Sequence, residues 1–352
     1  MAAAANNISV TYEGVYATKM ILEPIFHSDE IMRNYTLYPN VKFRQNVFLA
    51  NSLNKIVMAN GGCSSADNSG SGLSTSFNID DKQISVADCS VKMSQCWDTF
   101  FNEFQVESYR DGIDMPDLTG TQLADVIANR VRKGISQDVV RVMWGGDTTL
   151  SNVTYAWTDG LFKLMDAGTV VLETLAVSAG TGQTAVGGTL VGTDCDSLLA
   201  QVFDGAPAAL QQIPASEKRF FVTPNIYNAW YGSLTTVGQT GAVDYSHSEA
   251  QTGINYNRLH FRGVEIVPMY EWNTIMTDDD PALWNTGGVN YKNGVVYAAK
   301  DNLLIGADVN DPSAQFKMFY DDVSDNMYIR SYFKLGFQYA YDSLAHCGVL
   351  VN

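Results

Sequence analysis

The closing part of the chain contains the feature that most restricts its fold. In residues 315–339, QFKMFYDDVSDNMYIRSYFKLGFQY, apolar and polar side chains alternate on both sides of an acidic turn. This period of two predicts two antiparallel strands joined by that turn. The returning strand takes about 13–15 residues and spans ~45–50 Å, whereas typical strands have about 5–6 residues. We therefore expect an elongated domain rather than a compact one.

A second long element lies in residues 121–149, TQLADVIANRVRKGISQDVVRVMWGGDTT. Its apolar residues recur about every fourth position, at Leu123, Ile127, Val131, Ile135, Val139 and Met143. The pattern predicts a helix from about Thr119 to Trp144, ~39 Å long. Because the helix and the hairpin each have one apolar face and similar length, we expect them to pack against each other in an extended α+β plate.

Three basic residues of the predicted helix, Arg130, Arg132 and Lys133, could suggest contact with nucleic acid. The formal net charge of the chain is −16, however, and an acidic protein surface repels phosphate groups. We interpret the three residues as a solvated or intersubunit face held by salt bridges.

The remaining segments predict two extensions and a mixed α/β unit. Residues 1–45 are interrupted by prolines and are interpreted as an arm, and residues 46–105 as a projecting β-ribbon with a Gly/Ser-rich tip at 59–76. The apolar alternation changes phase near Ala87 and Asp88, which predicts a bulge or bend there.

Within the α/β unit, residues 218–234 predict a strand followed by a helix, and residues 258–268 predict two strands around an Arg262-Gly263 turn. Another helix is expected to begin at Asp196.

No catalytic, cofactor or metal site is predicted. The four histidines and five cysteines show no metal-ligand spacing, and we expect the thiols to be free and mostly buried; the cysteines are Cys63, Cys89, Cys96, Cys195 and Cys347. GTGQTA (180–185) resembles a nucleotide-binding loop but is not followed by a helical pattern, so we interpret it as a turn. The acidic stretches 277–281 and 320–326 lack the spacing of a calcium loop. The sequence contains neither a signal peptide nor a membrane-spanning run, so we expect a soluble protein that is not secreted.

Several segments resemble, in order, the major capsid protein of tailed bacteriophages with its Hong Kong 97-type fold. They are WGGDTT (144–149), RFFVTPNIYNAW (219–230), RGVEIVP (262–268), KDNLLIGAD (300–308) and the stretch 318–352. The resemblance implies an α+β fold with an N-terminal arm (1–45), an E-loop β-ribbon (46–105), a P-domain with a long spine helix (106–165) and an A-domain (166–310). It places the closing P-domain hairpin and the last A-domain strand at 311–352.

The function implied by the resemblance is that of a non-enzymatic head protein. Its copies would form hexamers and pentamers that close into an icosahedral shell around double-stranded DNA, without sequence-specific binding, cofactors or membrane contact. The implied location is the virion capsid, assembled in the host bacterial cytoplasm. The arm and the ribbon would lie over neighbouring subunits. Candidate intersubunit contacts are Arg130, Arg132 and Lys133 on the helix, Asp321, Asp322 and Asp325 at the hairpin turn, and Arg330 and Lys334 on the closing strand.

The arm is expected to begin almost at Met1, so we expect the scaffolding protein to be a separate chain. The resemblance also implies a portal protein and decoration proteins as further partners. No Lys, Asn and Glu trio can be aligned with the cross-link found in part of the family. Two alternatives stay open, namely an encapsulin-like compartment shell and a soluble hydrolase with an unrecognised site.

Overall fold

The computed structural model describes a chain of helices and strands in two large sheets. The described residues are 9–13, 34–50, 79–96, 122–149, 154–177, 190–236, 260–278, 285–286, 289–290, 293–308, 315–321, 324 and 326–351. Several predicted features therefore lie outside the described residues, among them the loop at 59–76, the turn at 180–185, Cys63, and the two turn residues Asp322 and Asp325.

The strands and helices have the following bounds. The strands are β1 (Ser9–Glu13), β2 (Thr36–Pro39), β3 (Arg44–Ala50), β4 (Ile79–Ser85), β5 (Ala87–Cys96), β6 (Leu172–Ala176), β7 (Lys218–Val222), β8 (His260–Phe261), β9 (Val264–Pro268), β10 (Asn285–Thr286), β11 (Val289–Asn290), β12 (Gly294–Ala299), β13 (Leu303–Ala307), β14 (Gln315–Asp321), β15 (Asn326–Tyr339) and β16 (Ala345–Val351). The α-helices are α1 (Gln122–Gly145), α2 (Leu161–Ala167), α3 (Gly192–Asp204), α4 (Ala208–Gln212), α5 (Pro224–Thr236) and α6 (Tyr270–Asp278), and short 3-10 helices occupy Ala215–Glu217, Lys300–Asn302 and Asp342–Leu344.

The first sheet is built around β15, which has 14 residues and spans ~46 Å. The strand order is β1-β14-β15-β13-β2, and β5 also pairs with β15. Side chains of β15 alternate between buried and more exposed positions up to Leu335. The predicted long strand and its period of two are therefore confirmed.

The long helix α1 packs over this sheet. It has 24 residues, ~36 Å, and ends at Gly145, one residue beyond the predicted Trp144. Its apolar residues share one buried cluster with the hairpin. The members from α1 are Val131, Ile135, Val139, Val142, Met143 and Trp144, and those from β14 and β15 include Phe316, Met318, Met327, Ile329 and Phe333. The helix and the hairpin thus bury their apolar faces against each other, as predicted.

The second sheet has the order β6-β16-β12-β7-β9-β8, and a separate apolar cluster lies between it and the helices α3 and α5. The predicted strand and helix at 218–234 are present as β7 and α5. The turn between β8 and β9 has Arg262 and Gly263 at φ 49° and 82°, a pair of positive φ values that suits a two-residue hairpin. The helix expected to begin at Asp196 begins at Gly192 instead. Asp196 lies inside it, where its carboxylate accepts a hydrogen bond from Trp230.

The ribbon differs from the expectation for residues 46–105. Within its described residues, β3 pairs with β4, and the strand is interrupted at Val86, close to the predicted bend. Beyond this break, β5 runs along β15 over residues 326–335 and belongs to the first sheet. The inner face of the β3–β4 base packs on the same chain, through Val47 and Leu49 against Leu304 and Ala340. The alternation of apolar and polar residues predicted an extended strand here, but it could not indicate that the strand pairs with the distant β15.

The cysteines of the described part are free thiols. Cys195 and Cys347 are buried, Cys89 is half-buried and Cys96 is exposed. Burial raises the pKa of both Cys195 and Cys347 to about 12. Among the described helices, none has the length and apolar composition needed to cross a membrane.

Candidate intersubunit contact surfaces

Two of the basic residues of α1, Arg130 and Lys133, lie on the side of the helix that faces away from the cluster, and Arg132 lies at its edge. Arg130 and Lys133 are exposed, and Arg132 is half-buried and donates a hydrogen bond to Asn129 at 3.2 Å. No ion pair joins any of the three to another residue of the described ranges, although salt bridges were expected. Their charge therefore stays available to solvent or to a neighbouring molecule.

The turn of the β14–β15 hairpin is fixed by hydrogen bonds near its base. The hydroxyl of Ser324 donates to Asp321 at 2.7 Å and lies 3.3 Å from the Tyr328 hydroxyl. Tyr328 also stacks on Phe319, with ring centroids 5.4 Å apart. Asp321 thus has a defined position at the end of the hairpin. Its predicted companions Asp322 and Asp325 are outside the described residues.

Arg330 and Lys334 both point to the outward face of β15, because they occupy even positions of the alternating pattern. The Arg330 guanidinium lies 5.4 Å from the Phe319 ring centroid. The Lys334 ammonium lies 3.9 Å from the Asp88 carboxylate and 5.3 Å from the Phe43 ring centroid. The structure therefore brings these two residues to one face of the first sheet, whereas the basic residues of α1 belong to a different element.

An aromatic junction sets the position of α1 relative to the second sheet. Trp144 is fully buried at the end of α1 and donates a hydrogen bond to the Tyr35 hydroxyl at 3.0 Å. Its ring lies 4.9 Å from both Phe162 and Trp272, measured between centroids. Aromatic side chains of this size dominate core energetics, so the junction holds α1, α2 and α6 together.

The same junction is supported at the surface by an ion pair between α1 and α6. Arg141 donates to Glu271 at 2.6 Å and to Asp138 at 3.0 Å. Burial raises the pKa of Asp138 above its ordinary value and outweighs the lowering effect of Arg141.

After α1, the WGGDTT turn is closed by Lys163 of α2. The Lys163 ammonium donates to Asp147 at 2.6 Å and to Asp159 at 2.7 Å. Burial would raise the pKa of Asp147, but hydrogen bonds from Lys163 and Thr149 lower it below its ordinary value. The resemblance included the WGGDTT turn, and the structure adds Lys163, whose positive charge faces the carboxylates of Asp147 and Asp159.

A second polar network, which we call the ribbon latch, joins Lys82 of β4 to Asp342 after β15. The Lys82 ammonium donates to Asp342 at 2.6 Å and lies 3.7 Å from the Tyr339 ring centroid. The backbone amide and the hydroxyl of Thr169 donate to the other oxygen of Asp342 at 3.1 and 2.5 Å. Burial alone would raise the pKa of Asp342, but these hydrogen bonds lower it well below its ordinary range. The latch fixes the base of the ribbon on the body of the chain.

Sequence reasoning missed both networks. Asp159 and Lys163 are four residues apart on adjoining turns, and that spacing could have indicated a pair. Lys82 and Asp342 are 260 residues apart and have no comparable pattern. Among the described residues, no group of three or more His, Cys, Asp and Glu side chains could hold a metal ion.

No protein-family model and no curated protein sequence matches the chain. Several solved structures, however, are similar to this chain. A chain of the satellite phage P4 procapsid, in a structure that includes the size determination protein, is 10% identical with a TM-score of 0.56, and the match covers 99% of this chain and 94% of that chain. A chain of the capsid of Myoviridae phage XM1 is 9% identical with a TM-score of 0.50, and 92% of each chain is covered.

These matches cover nearly the whole chain, and the structure contains the mixture of helices and sheets, with the long helix and the long hairpin, that the resemblance implied. The chain has the Hong Kong 97-type α+β fold of phage capsid proteins.

Proposed function

We propose that the protein is the major capsid protein of a tailed double-stranded DNA phage. Its copies associate as hexamers and pentamers and close into an icosahedral shell around the genome. The observation that carries the proposal is the near-complete structural match to a phage procapsid chain, with 99% of this chain aligned. The fold is compatible with a role in an assembly, because charged side chains are exposed on α1, and charged and aromatic side chains are exposed on the outward face of β15.

The encapsulin-like alternative shares the fold but encloses protein cargo. Both similar structures described above come from phage particles, and this favours the phage shell. The proposed role is structural and not enzymatic, and the match of nearly the whole chain to capsid chains supports it over the hydrolase alternative. Separate scaffolding, portal and decoration proteins complete the set of partners. The location is the virion capsid, assembled in the host bacterial cytoplasm.

The net charge of −16 suits contact with DNA that must be packed and later released. Binding to phosphate groups depends on clustered basic side chains and on counterion release, so an acidic inner wall holds the genome without strong attachment. Strong binding of purified shells to duplex DNA at physiological salt would contradict this part of the proposal.

Sedimentation velocity of the full-length chain, expressed alone and with the neighbouring phage genes, tests the proposal. We expect rings or closed particles far heavier than the 38.6 kDa chain. Nuclease-protected DNA inside particles made with all phage genes would support the phage shell over the encapsulin. A monodisperse 38.6 kDa monomer under every condition would contradict any shell function.

A further inference from the structure

The second sheet contains a buried histidine whose ring is not hydrogen-bonded. His346 is the second residue of β16, and its side chain is 1% exposed. Neither of its two ring nitrogens has a hydrogen-bond partner among the described residues. Such atoms are rare in protein interiors, because burial removes their hydrogen bonds to water. An unpaired buried imidazole is therefore a candidate for a role beyond packing.

A carboxylate of the neighbouring strand β6 lies beside the ring. Glu173 is opposite Gly348 in the register of β6 and β16, and alternate residues of a strand share a face, so Glu173 and His346 lie on the same face. One Glu173 oxygen is 3.6 Å from His346 Nε2, just beyond hydrogen-bond distance. The other oxygen accepts a hydrogen bond from Gln201 of α3 at 3.0 Å. Glu173 thus connects β6, α3 and the histidine.

The C-terminal end of α3 covers the ring from the other side. A Cβ placed on Gly205, the residue after α3, would lie 3.3 Å from His346 Nε2. The backbone amide of Gly205 donates to the Gln201 carbonyl at 2.8 Å, which closes the helix above the imidazole. A helix C-terminus and a carboxylate both favour a positive charge. The ring is therefore poised between a neutral and a charged form.

The other titratable groups around the ring do not neutralise it. Tyr297 of β12 is opposite His346, and burial raises the pKa of Tyr297 to about 12, so its hydroxyl stays neutral. Asp204 at the end of α3 pairs with an arginine of the β8–β9 turn, and Asp342 before β16 belongs to the ribbon latch. Lys218 of β7, 5.8 Å from the Tyr297 ring centroid, repels a second cation. Among the described residues, Glu173 is the carboxylate placed to receive the charge of the ring.

Protonation changes what the ring requires from its surroundings. Burial lowers the pKa of His346 below its ordinary value, and the Glu173 carboxylate offsets this only in part. A protonated imidazole has two N–H donors. Glu173 can accept from Nε2 by moving closer, but Nδ1 has no acceptor among the described residues. Water must reach Nδ1, and this requires the end of α3 to move away from β16.

We propose that His346 makes the packing of α3 on β16 sensitive to protons. At higher pH, the end of α3 covers a neutral ring. At lower pH, the imidazolium pairs with Glu173, and the end of α3 opens to admit water. The inference concerns the α/β unit alone and does not depend on the proposed function.

The direction of the pH dependence follows from the two states of the ring. When α3 is open, the ring is in water and its pKa is about 6.5, whereas the closed state has a lowered pKa. The stability of the closed state is therefore complete above about pH 6.5 and is lost as the pH falls through the lowered value. One proton changes this equilibrium at most about tenfold per pH unit. We expect the open fraction to rise severalfold from pH 7.5 to pH 5.5.

Amide hydrogen exchange with peptide mass spectrometry, on the full-length chain at pH 7.5 and 5.5, measures this opening. After correction for the chemical exchange rate, peptides of α3 should open severalfold more often at pH 5.5 in the natural chain. His346→Gln removes the titrating group, so its α3 should open equally often at both pH values. His260→Gln is the matched control, because His260 is exposed in β8 of the same sheet, and it should keep the natural response. The same response in His346→Gln as in the natural chain would overturn the proposal.

Glu173→Gln provides a second test that does not depend on the folding of His346→Gln. Exchange of the carbon-bound C2 hydrogen of the imidazole follows the protonation of His346 directly. Because the Glu173 carboxylate favours the charged ring, its removal should move the titration midpoint of His346 to lower pH, and the opening of α3 should follow. An unchanged midpoint in Glu173→Gln, or a midpoint in the natural chain at or above about 6.5, would overturn the proposal.

Discussion

Replacing Asp342 with Asn tests the ribbon latch and the electrostatic reasoning behind it. The carboxylate is 28% exposed and accepts hydrogen bonds from Lys82 and Thr169. Hydrogen bonds to a charged group contribute about 1.5–3 kcal/mol each, exposed ion pairs about 0–1, and breaking a buried pair costs about 3–5. Because the site is partly screened by solvent, we expect a loss of about 2–3 kcal/mol in the free energy of unfolding.

The assay is urea unfolding of the full-length chain, with a double-mutant cycle of Asp342→Asn and Lys82→Met. If the two residues act through each other, the double variant loses less stability than the sum of the single variants, by about 1–2 kcal/mol. Asn46→Ala provides a control on the exposed face of the ribbon and should leave stability within about 0.5 kcal/mol. Additive effects in the cycle would refute a direct Lys82–Asp342 interaction.

The pH dependence gives a second readout of the latch. The folded-state pKa of Asp342 is lowered, so its contribution is fully present above the unfolded pKa of about 3.9 and is lost as the pH falls through the lowered value. The stability difference between the natural chain and Asp342→Asn should therefore be constant near neutral pH and shrink progressively below about pH 4. A difference that does not change with acidification would contradict this reasoning.

Three further predictions concern the core and the thiols. Gly336→Ala should lower the free energy of unfolding by about 2–4 kcal/mol, because a Cβ there would clash with the Ser85 carbonyl where the chain passes from β4 to β5. Urea unfolding measures this loss. Gly232→Ala is the control, because a Cβ at Gly232 meets no atom within 4 Å. Lys163→Met should cost about 2–3 kcal/mol, since it leaves the Asp147 carboxylate buried without its cation; a loss below about 0.5 kcal/mol in the same assay would contradict that role. Iodoacetamide at pH 8 should label Cys96 in the folded chain and leave Cys195 unlabelled, because burial raises the pKa of the Cys195 thiol to about 12. Peptide mass spectrometry measures the labelling, and equal labelling of the two cysteines would refute the burial of Cys195.

The parts of the fold that follow from local periodicity were predictable. Val131, Ile135 and Val139 recur at helical spacing, and their burial against β15 follows from one apolar face on each element. The alternation of β15 likewise determined both its length and its buried face. A periodic pattern of apolar residues lies within one helix or one strand, so it can be recognised in a single sequence.

The parts that depend on distant pairing were not predictable. The residues of β5 alternate like those of a ribbon strand, and only tertiary pairing places them beside β15. Lys92 and Arg330 likewise become neighbours only through the register of two strands that are far apart in the chain. Of the predicted contact residues, Arg330 and Lys334 share the outward face of the first sheet, while the helix residues Arg130, Arg132 and Lys133 remain a separate candidate surface.

A cryo-EM reconstruction of the particles formed by the full-length chain tests the central claim most directly. The account predicts a closed icosahedral shell whose hexameric and pentameric rings consist of this chain. A chain that stays a folded 38.6 kDa monomer, or an assembly without such rings, would contradict it.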